Sequence, residues 1–256
     1  MLTPDDRADR LHAAISATFE GFYSAVDGAS FERREGHARL LFPAVPSPIF
    51  NGVVVESEPC SGVAASVREV EEHGLRCGVL LRDGRHPKLD EELARLGFTK
   101  RDPMPGMTVA PDELAAVRVS GLEIARVEDQ EGLAEATRVA AGGGAAALEY
   151  MGALYAPEVL TLEGNRIYVG RVRGEPVTTA IGYQTGRDVA IFSVATLPDH
   201  RRRGYGAAIS AHACREGFAN GADLAWLQTS QMGESVYGGL GFRHTVMHIM
   251  LGRPAP

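Results

Sequence analysis

The sequence predicts an α/β (α+β) protein whose mixed, mostly antiparallel sheet is flanked by helices, with a second, smaller α/β lobe at its N-terminus. Three observations support this fold class. Segments with apolar residues at helical spacing alternate along the chain with short apolar runs typical of strands. Three such runs in the second half are separated by glycine-containing turns at 173–175 and 185–187, which is typical of an antiparallel meander. The length of 256 residues exceeds what one average domain needs.

The first half of the chain contains strands of apolar residues and helices that stop at glycine. In order, we expect a helix over 5–26, strands over 38–41 and 49–55, a helix over 61–73, a strand over 75–81, a helix over 87–96 and a strand over 107–109. Prolines then crowd the region before Val117. We therefore predict a boundary there, with an N-terminal lobe over 1–116 and a second domain over 117–256.

The second half repeats the alternation of helix and strand. We expect a strand over 117–127, a helix over 129–141, a flexible break at 142–144, a helix over 145–155, strands over 167–172, 177–184 and 189–196, a helix over 204–219, a strand over 224–229, a short helix over 234–239 and a strand over 242–251. Residues 237–242 also resemble 93–98, at an offset of 144 residues (242 − 98). Either the two halves are related, or a common helix–glycine–aromatic ending occurs twice by chance.

The composition excludes several classes of function. The chain carries 26 basic and 33 acidic side chains, a net charge of −7. It therefore lacks the excess of positive charge with which proteins bind nucleic acid or an anionic membrane. No apolar run approaches the roughly 18 residues of a membrane span. Three cysteines without a C-x-x-C pair indicate neither a disulfide framework nor a zinc cluster. We therefore expect a cytoplasmic protein without a metal, whose start lacks a signal peptide.

One segment, from Val194 to Ala207, indicates a specific chemistry. A strand is predicted to end near Thr196, and a turn rich in arginine and glycine then opens directly into a helix. The first turn of a helix has free N–H groups and the positive end of the helix dipole, which together bind phosphate. Gly204 and Gly206 let an anion approach the backbone closely, and the three arginines at 201–203 add positive charge. The segment therefore predicts a site for phosphate or pyrophosphate.

Other interpretations of this segment fit less well or remain open. A dinucleotide-binding fingerprint would need a glycine or alanine where Ile209 stands, and a P-loop would need Gly-Lys-Ser/Thr. Nucleic-acid binding would rest on three arginines in an acidic chain. A solvated turn with helix-capping glycines remains an alternative.

Two motifs in this half resemble those of a known superfamily. Residues 201–206, Arg-Arg-Arg-Gly-Tyr-Gly, resemble the Gln/Arg-x-x-Gly-x-Gly/Ala signature of the GNAT N-acetyltransferases. Residues 237–242, Tyr-Gly-Gly-Leu-Gly-Phe, resemble the second landmark of that superfamily, Tyr-x-x-x-Gly-Phe, in the expected order. The resemblance covers about 118–251. It implies transfer of an acetyl or other acyl group from coenzyme A to an amine of a small molecule or peptide. Because no nucleophile for an acyl-enzyme is apparent in the sequence, we expect direct transfer in a ternary complex.

The resemblance also implies roles for single residues. Tyr237 stands where the superfamily places the acid that protonates the leaving thiolate, and Ser230 stands where many members have an asparagine that binds the coenzyme. A backbone N–H of the strand before the loop would stabilise the oxyanion. The residues implied to bind acetyl-CoA are Val194, Ala195, Thr196, Arg201, Arg202, Arg203, Gly204, Tyr205, Gly206, Ala207 and Ser230.

The general base has no clear candidate. Many members carry a glutamate on the strand before the loop, but residues 189–193 contain no carboxylate. Glu149 and Glu163 are substitutes or ordinary surface residues, and Ser193 is no better supported. An acyl-CoA-binding or regulatory module without turnover is therefore the alternative function. The N-terminal half, with Leu93 at the position of Tyr237, is expected to be non-catalytic; the oligomeric state and the acceptor stay open.

Overall fold

The computed structural model describes residues 2–142, 145–230 and 233–254, with the backbone alone for 145–149. The chain divides into two compact units. Unit 1 comprises the described residues up to 106, together with 229–230 and 244–254; unit 2 comprises those of 107–228 and 233–243. The predicted division after residue 116 stays a prediction, and the compact units are not contiguous in sequence.

The elements of the first half are α1 (Pro4–Ala25), β1 (Ser30–Arg34), β2 (His37–Leu41), β3 (Gly52–Val55), α2 (Val63–Glu72), β4 (Gly78–Arg82), α3 (Pro87–Arg95) and β5 (Lys100–Val109). Those of the second half are β6 (Leu122–Arg126), α4 (Gln130–Ala140), α5 (Ala145–Leu154), β7 (Asn165–Val172), β8 (Glu175–Thr185), β9 (Asp188–Thr196), α6 (Tyr205–Ala219), β10 (Leu224–Gln228), α7 (Glu234–Gly238) and β11 (Arg243–Gly252). Two short 3₁₀ turns, Pro157–Leu160 and Pro198–His200, lie between them.

Unit 1 contains the strand order β1-β2-β3-β4-β11-β5. Strands β1, β2 and β3 pair antiparallel, and β3 pairs with β4 in parallel through the connection made by α2. The apolar faces of α2 and α3 pack on these strands, and the residues of this core include Val55, Val67, Val79, Leu93 and Phe98. The unit is thus a small α/β lobe.

The last strand of the chain completes unit 1. β11 lies antiparallel beside β4, with His248 opposite Arg82 and Gly252 opposite Gly78. Because residues 233–243 belong to unit 2, the chain leaves unit 1 after 229–230 and returns to it with this strand. The pairing is therefore between residues that are far apart in sequence.

Unit 2 contains the strand order β5-β10-β9-β8-β7-β6, to which β5 contributes its last three residues. The strands from β6 to β9 form the predicted antiparallel meander, and β9 pairs with β10 in parallel. Helix α6 makes the connection between that parallel pair and packs on β8 and β9 through Ile209 and Ala213. The predicted fold class, a mixed and mostly antiparallel sheet with flanking helices, is confirmed.

Some strands differ from their predicted bounds. β1 is absent from the prediction because Glu32, Arg33 and Arg34 give an exposed strand without an apolar run. β5 begins at Lys100 and includes two prolines, which a strand tolerates where no ladder N–H is needed. Of the predicted break at 142–144, residues 143–144 lie outside the described residues. No helix in the described part of the chain is long and apolar enough to cross a membrane.

The helices α3 and α7 end in the same way. Gly97 and Gly241 adopt left-handed conformations, with φ of 90° and 94°. Each ending has the paired hydrogen bonds of a Schellman motif. These bonds run from Gly97 N–H to Ala94 O (3.0 Å), Phe98 N–H to Leu93 O (2.9 Å), Gly241 N–H to Gly238 O (3.1 Å) and Phe242 N–H to Tyr237 O (3.1 Å). The repeat noticed in the sequence is thus also a repeat of backbone geometry.

Candidate active site

The pairing between strands β9 and β10 ends partway along β9. Their parallel ladder covers Asp188–Ala190 and Leu224–Trp226. β9 continues for six more residues to Thr196, and β10 ends at Gln228. Within the described residues no further pairing joins the two strands, so the backbone of 191–196 has one side free of β10.

A β-bulge interrupts β9 at the point where this free stretch begins. Thr179 of β8 lies opposite Ala195 and Ile181 lies opposite Phe192, so the two residues between on β9 face a single residue of β8. Ser193 has a φ of 51°, an uncommon conformation for a residue other than glycine. Bulges bend a strand and are frequent beside active sites, because the extra residue leaves the ladder.

Threonine side chains hold the end of β9. The buried Thr178 hydroxyl donates to the Ala195 carbonyl at 2.7 Å and lies 3.0 Å from the Thr196 hydroxyl. Sequence reasoning missed Thr178, since it lies in the middle of an apolar strand. Its contacts leave the Thr196 side chain near the first turn of α6, where a Cβ added to Gly206 would lie 3.5 Å from the Thr196 Oγ1.

Helix α6 begins without a side-chain cap. Its N-cap, Gly204, is left-handed with φ 80° and ψ 2°, and the first helical bond runs from the Ala208 N–H to the Gly204 carbonyl at 2.9 Å. The N–H groups of Tyr205, Gly206 and Ala207 therefore have no acceptor inside the helix. Free N–H groups and the helix dipole both favour negative charge, so this geometry is compatible with the predicted anion site, which stays a prediction.

The three arginines before the helix are exposed. Arg201 donates through Nε to the Thr196 carbonyl at 3.1 Å, which fixes the loop to the end of β9. Arg202 has a φ of 60°, so the chain turns sharply between Arg201 and Arg203. None of the three forms an ion pair with a carboxylate in the part of the chain that the structure describes. Their charge is therefore available to a ligand.

Tyr237 lies on α7 against the core of unit 2. Its ring packs edge-on to the Phe242 ring, with centroids 5.8 Å apart. Burial raises the pKa of Tyr237, and the neighbouring Ser210 hydroxyl of α6 offsets part of that change. The phenol is therefore held in its protonated form at neutral pH, as a proton donor must be.

The structure brings several predicted residues together and leaves others apart. Val194, Ala207 and Tyr237 pack against the same core cluster of unit 2. Ser230 is exposed and belongs with Thr229 to unit 1. Glu163 is exposed, and the Glu149 side chain lies outside the described residues. Within the described residues no group of three or more acidic, histidine or cysteine side chains is placed to hold a metal ion.

A family model matches this part of the chain. Residues 144–242 match the model of the acetyltransferase (GNAT) family. The matched range includes the arginine-rich loop, α6 and Tyr237. The resemblance seen in the two sequence motifs is thereby confirmed, and it supports acyl transfer as the class of reaction. No curated protein matches the sequence.

Solved structures with this fold cover nearly the whole chain. A GCN5-related N-acetyltransferase from Kribbella flavida is 21% identical, with a TM-score of 0.70 and 96% of each chain covered. A tandem GNAT protein from the clavulanic acid biosynthesis pathway is 13% identical, with a TM-score of 0.63, covering 94% of this chain and 89% of its own. A GCN5-related N-acetyltransferase from Sphaerobacter thermophilus is 17% identical, with a TM-score of 0.61, covering 100% and 95%. At these identities the likeness establishes the fold.

Proposed function

We propose that this protein is an acyl-CoA-dependent N-acyltransferase that moves an acetyl group from acetyl-CoA to an amine of a small molecule or peptide. The observation that carries the proposal is the end of β9: a strand that leaves its parallel partner is followed by three exposed arginines and a helix with free N–H groups. In the GNAT arrangement that the resemblance implies, the strand binds the pantetheine arm, and the loop and helix start bind the pyrophosphate. The cytoplasmic localisation stays a prediction.

The residues around α6 fit the coenzyme. Gly206 leaves the approach to the helix open, and the left-handed Gly204 turns the chain so that the first N–H groups point out of the helix end. Arg202 and Arg203 would pair with the pyrophosphate, while Arg201 also keeps the loop against Thr196. The buried Gln228 Nε2 at the end of β10 has no hydrogen-bond partner in the described part of the chain, so a polar group is unmatched there.

The chemistry follows from where the groups stand. In the transfer, the amine nitrogen bonds to the thioester carbonyl carbon and the carbon–sulfur bond breaks. A backbone N–H of the stretch Val194–Thr196 would hold the oxyanion. The amine proton leaves to a base that we do not assign, and the thiolate takes a proton from Tyr237. A buried phenol that stays protonated at neutral pH can donate to a thiolate whose conjugate acid has a pKa of about 8.5.

Binding of acetyl-CoA is the first test. A ligand that binds only the folded protein stabilises it by about 2.7 kcal/mol at 100 times its Kd, so acetyl-CoA should raise the melting temperature. Gly206→Glu puts a carboxylate into the anion site and should abolish the rise. Gly206→Ala is the matched control, because its Cβ makes only an ordinary contact with Thr196 and should keep it. No rise and no calorimetric heat with the unaltered protein would contradict the proposal.

An acyl-CoA-binding module without turnover is the second candidate. It is favoured by β9, where residues 189–193 offer no carboxylate as a base. The two functions separate in one assay, in which thiol release from acetyl-CoA is followed across a panel of amines and peptides. Release that depends on the amine and falls in Tyr237→Phe excludes the module; binding with no release from any amine favours it.

A further inference from the structure

Tyr155 is a buried phenol that the roles proposed above do not use. It follows α5, its N–H donates to the Met151 carbonyl at 2.9 Å, and its side chain is only 3% exposed. Its hydroxyl lies 2.8 Å from the Ser193 hydroxyl, across 38 residues of sequence. The phenol therefore touches β9 at the bulge itself.

Ser193 is the strained residue of that bulge. A φ of 51° is unfavourable for a residue with a Cβ, and such conformations persist only where surrounding groups hold them. Within the part of the chain that the structure describes, the half-buried serine side chain has one hydrogen-bond partner, the Tyr155 hydroxyl. The nearby Thr179 hydroxyl donates instead to the Tyr168 carbonyl, at 2.9 Å. Tyr155 is thus the group positioned to hold Ser193.

The bulge decides where the next N–H points. A left-handed Ser193 rotates the peptide that joins it to Val194 away from its direction in a regular strand. The free side of β9 begins at this stretch, since the ladder to β10 ends at Ala190. In a bulge the extra residue is left out of the ladder, so the N–H there is available to a ligand.

We propose that Tyr155 is a positioning residue for acyl transfer, whose hydroxyl holds Ser193 in its left-handed conformation and so aims the Val194 N–H at the thioester carbonyl. The inference rests on the proposed function. Tyr155 itself stays neutral and exchanges no proton with the substrate: burial raises its pKa to about 12, against a smaller opposing effect of the Ser193 and Thr179 hydroxyls.

The stretching frequency of the carbonyl group in bound acetyl-CoA reports whether the Val194 N–H contacts it. The measurement needs no amine acceptor. With acetyl-CoA labelled with ¹³C at the carbonyl, infrared difference spectra should show a lower stretching frequency in the complex than in solution, because the N–H polarises the carbonyl. Tyr155→Phe should lose that lowering while its calorimetric Kd for acetyl-CoA is unchanged. Tyr183→Phe removes the hydroxyl of a different buried tyrosine, which lies on β8. This variant should keep both the lowered frequency and the Kd.

Two further variants distinguish loss of the hydrogen bond from misfolding of Tyr155→Phe. Ser193→Ala removes the same hydrogen bond from the strand side and should lose the lowering in the same way. Adding Ser193→Gly to Tyr155→Phe should restore it, because glycine adopts a positive φ without a partner.

The outcomes are distinct. An undiminished lowering in both Tyr155→Phe and Ser193→Ala overturns the role of Tyr155 and leaves the proposed function standing. An unshifted carbonyl in the unaltered protein, with acetyl-CoA bound, also overturns it. Failure of the unaltered protein to bind acetyl-CoA instead removes the proposed function, and this inference with it.

Discussion

Helix α2 of unit 1 and helix α6 of unit 2 begin in the same backbone conformation. Gly62 has φ 83° and ψ 3°, and Gly204 has φ 80° and ψ 2°; each is an N-cap with no side-chain hydrogen bond. Each helix also connects two strands that pair in parallel over three residues. The two units therefore share a backbone that can present free N–H groups to an anion.

Their side chains differ at this point. In unit 2 the glycine follows three exposed arginines, whereas in unit 1 Gly62 follows Ser61, whose hydroxyl donates to the Glu35 carboxylate. The nearby Arg34 of unit 1 already forms ion pairs with both Glu32 and Glu69. A protein carboxylate thus already stands beside the start of α2. The two helix starts therefore differ in the charges around them and not in their backbone, and this difference is why the proposed phosphate site is assigned to unit 2.

The ends of α3 and α7 make the same point. Leu93 and Tyr237 occupy equivalent places in two Schellman motifs, and each contacts the phenylalanine that closes the motif. Leu93 is fully buried in the core of unit 1, while Tyr237 keeps a phenol at the surface of its core. Only the second can donate a proton, so the proposed chemistry belongs to unit 2.

Tyr237→Phe should give the largest effect. It removes the proposed acid without altering the ring packing on Phe242, so kcat should fall about 1,000-fold while the Kd for acetyl-CoA is unchanged. The alkaline limb of the kcat–pH profile should also disappear, because burial raises the pKa of Tyr237 above that of a free phenol. Tyr23→Phe, which removes a buried phenol of unit 1, is the control and should leave kcat intact. Equal losses in both variants would contradict the contrast between the units.

The two Schellman glycines should differ in how they tolerate alanine. A Cβ on Gly241 would lie 2.1 Å from the Glu113 carbonyl oxygen, whereas a Cβ on Gly97 would meet the end of the Arg253 side chain at 2.8 Å, which can move aside. We expect Gly241→Ala to lower the free energy of unfolding by about 3 kcal/mol and Gly97→Ala by about 1–2 kcal/mol. Urea unfolding measures both. Equal costs would show that the left-handed φ alone matters.

Reversing the charge of the loop should remove coenzyme binding. Arg202→Glu with Arg203→Glu is expected to weaken acetyl-CoA binding about 100-fold, equivalent to about 2.7 kcal/mol, because two charge-assisted contacts become repulsive. Arg68→Glu with Arg76→Glu makes the same charge change on exposed arginines of unit 1 and should have little effect. Calorimetry at two salt concentrations separates a local contact from the net charge. Comparable weakening by both pairs would count against a local anion site.

A buried histidine pair should make unit 1 sensitive to acid. His12 Nδ1 lies 3.1 Å from His248 Nε2 with the rings stacked, and His12 Nε2 lies 3.2 Å from the Glu56 carbonyl. This pattern uses both rings in their neutral form, with the His12 Nε2–H donating to Glu56. The Arg82 guanidinium and His86 also face His12 and disfavour a further positive charge.

Burial, together with His12 and Arg82, lowers the pKa of His248 to about 3, from an ordinary value near 6.5. A lowered pKa means that the pair's contribution to stability is complete above pH 6.5 and is lost as the pH falls toward 3. We expect a loss of about 2 kcal/mol between pH 6.5 and pH 5, measured by urea unfolding. The variant His12→Phe with His248→Phe should flatten that dependence, and an unchanged slope would place the acid sensitivity elsewhere.

The local elements could be predicted because their signals are local. The helix before Gly97 and the meander of β7, β8 and β9 follow from periodicity and turn residues within a few positions. β1 could not be found this way, since its charged residues lack an apolar run and its strand conformation depends on pairing with β2. The position of β11 beside β4 is equally hidden, because a strand's sequence does not name its partner.

For the site, the sequence predicted the anion-binding loop and the tyrosine through fixed spacings. It could not predict the support of the loop: Thr178 and Tyr155 act through tertiary contacts with Ala195 and Ser193 that no short motif encodes. The left-handed Ser193 is likewise unexpected, since positive φ is normally signalled by glycine or asparagine. The roles of the predicted residues themselves stay predictions until the coenzyme is bound.

The placement of β11 also orders events during synthesis. Arg82 of β4 leaves the ribosome 166 residues (248 − 82) before its partner His248. Unit 1 therefore cannot close its sheet while it is being made, even though most of it emerges first. The sheet of unit 1 is completed only after the meander and α6 of unit 2 have been translated. Long-range pairing of this kind is slow to form, so unit 1 depends on a strand made after most of unit 2 to finish folding.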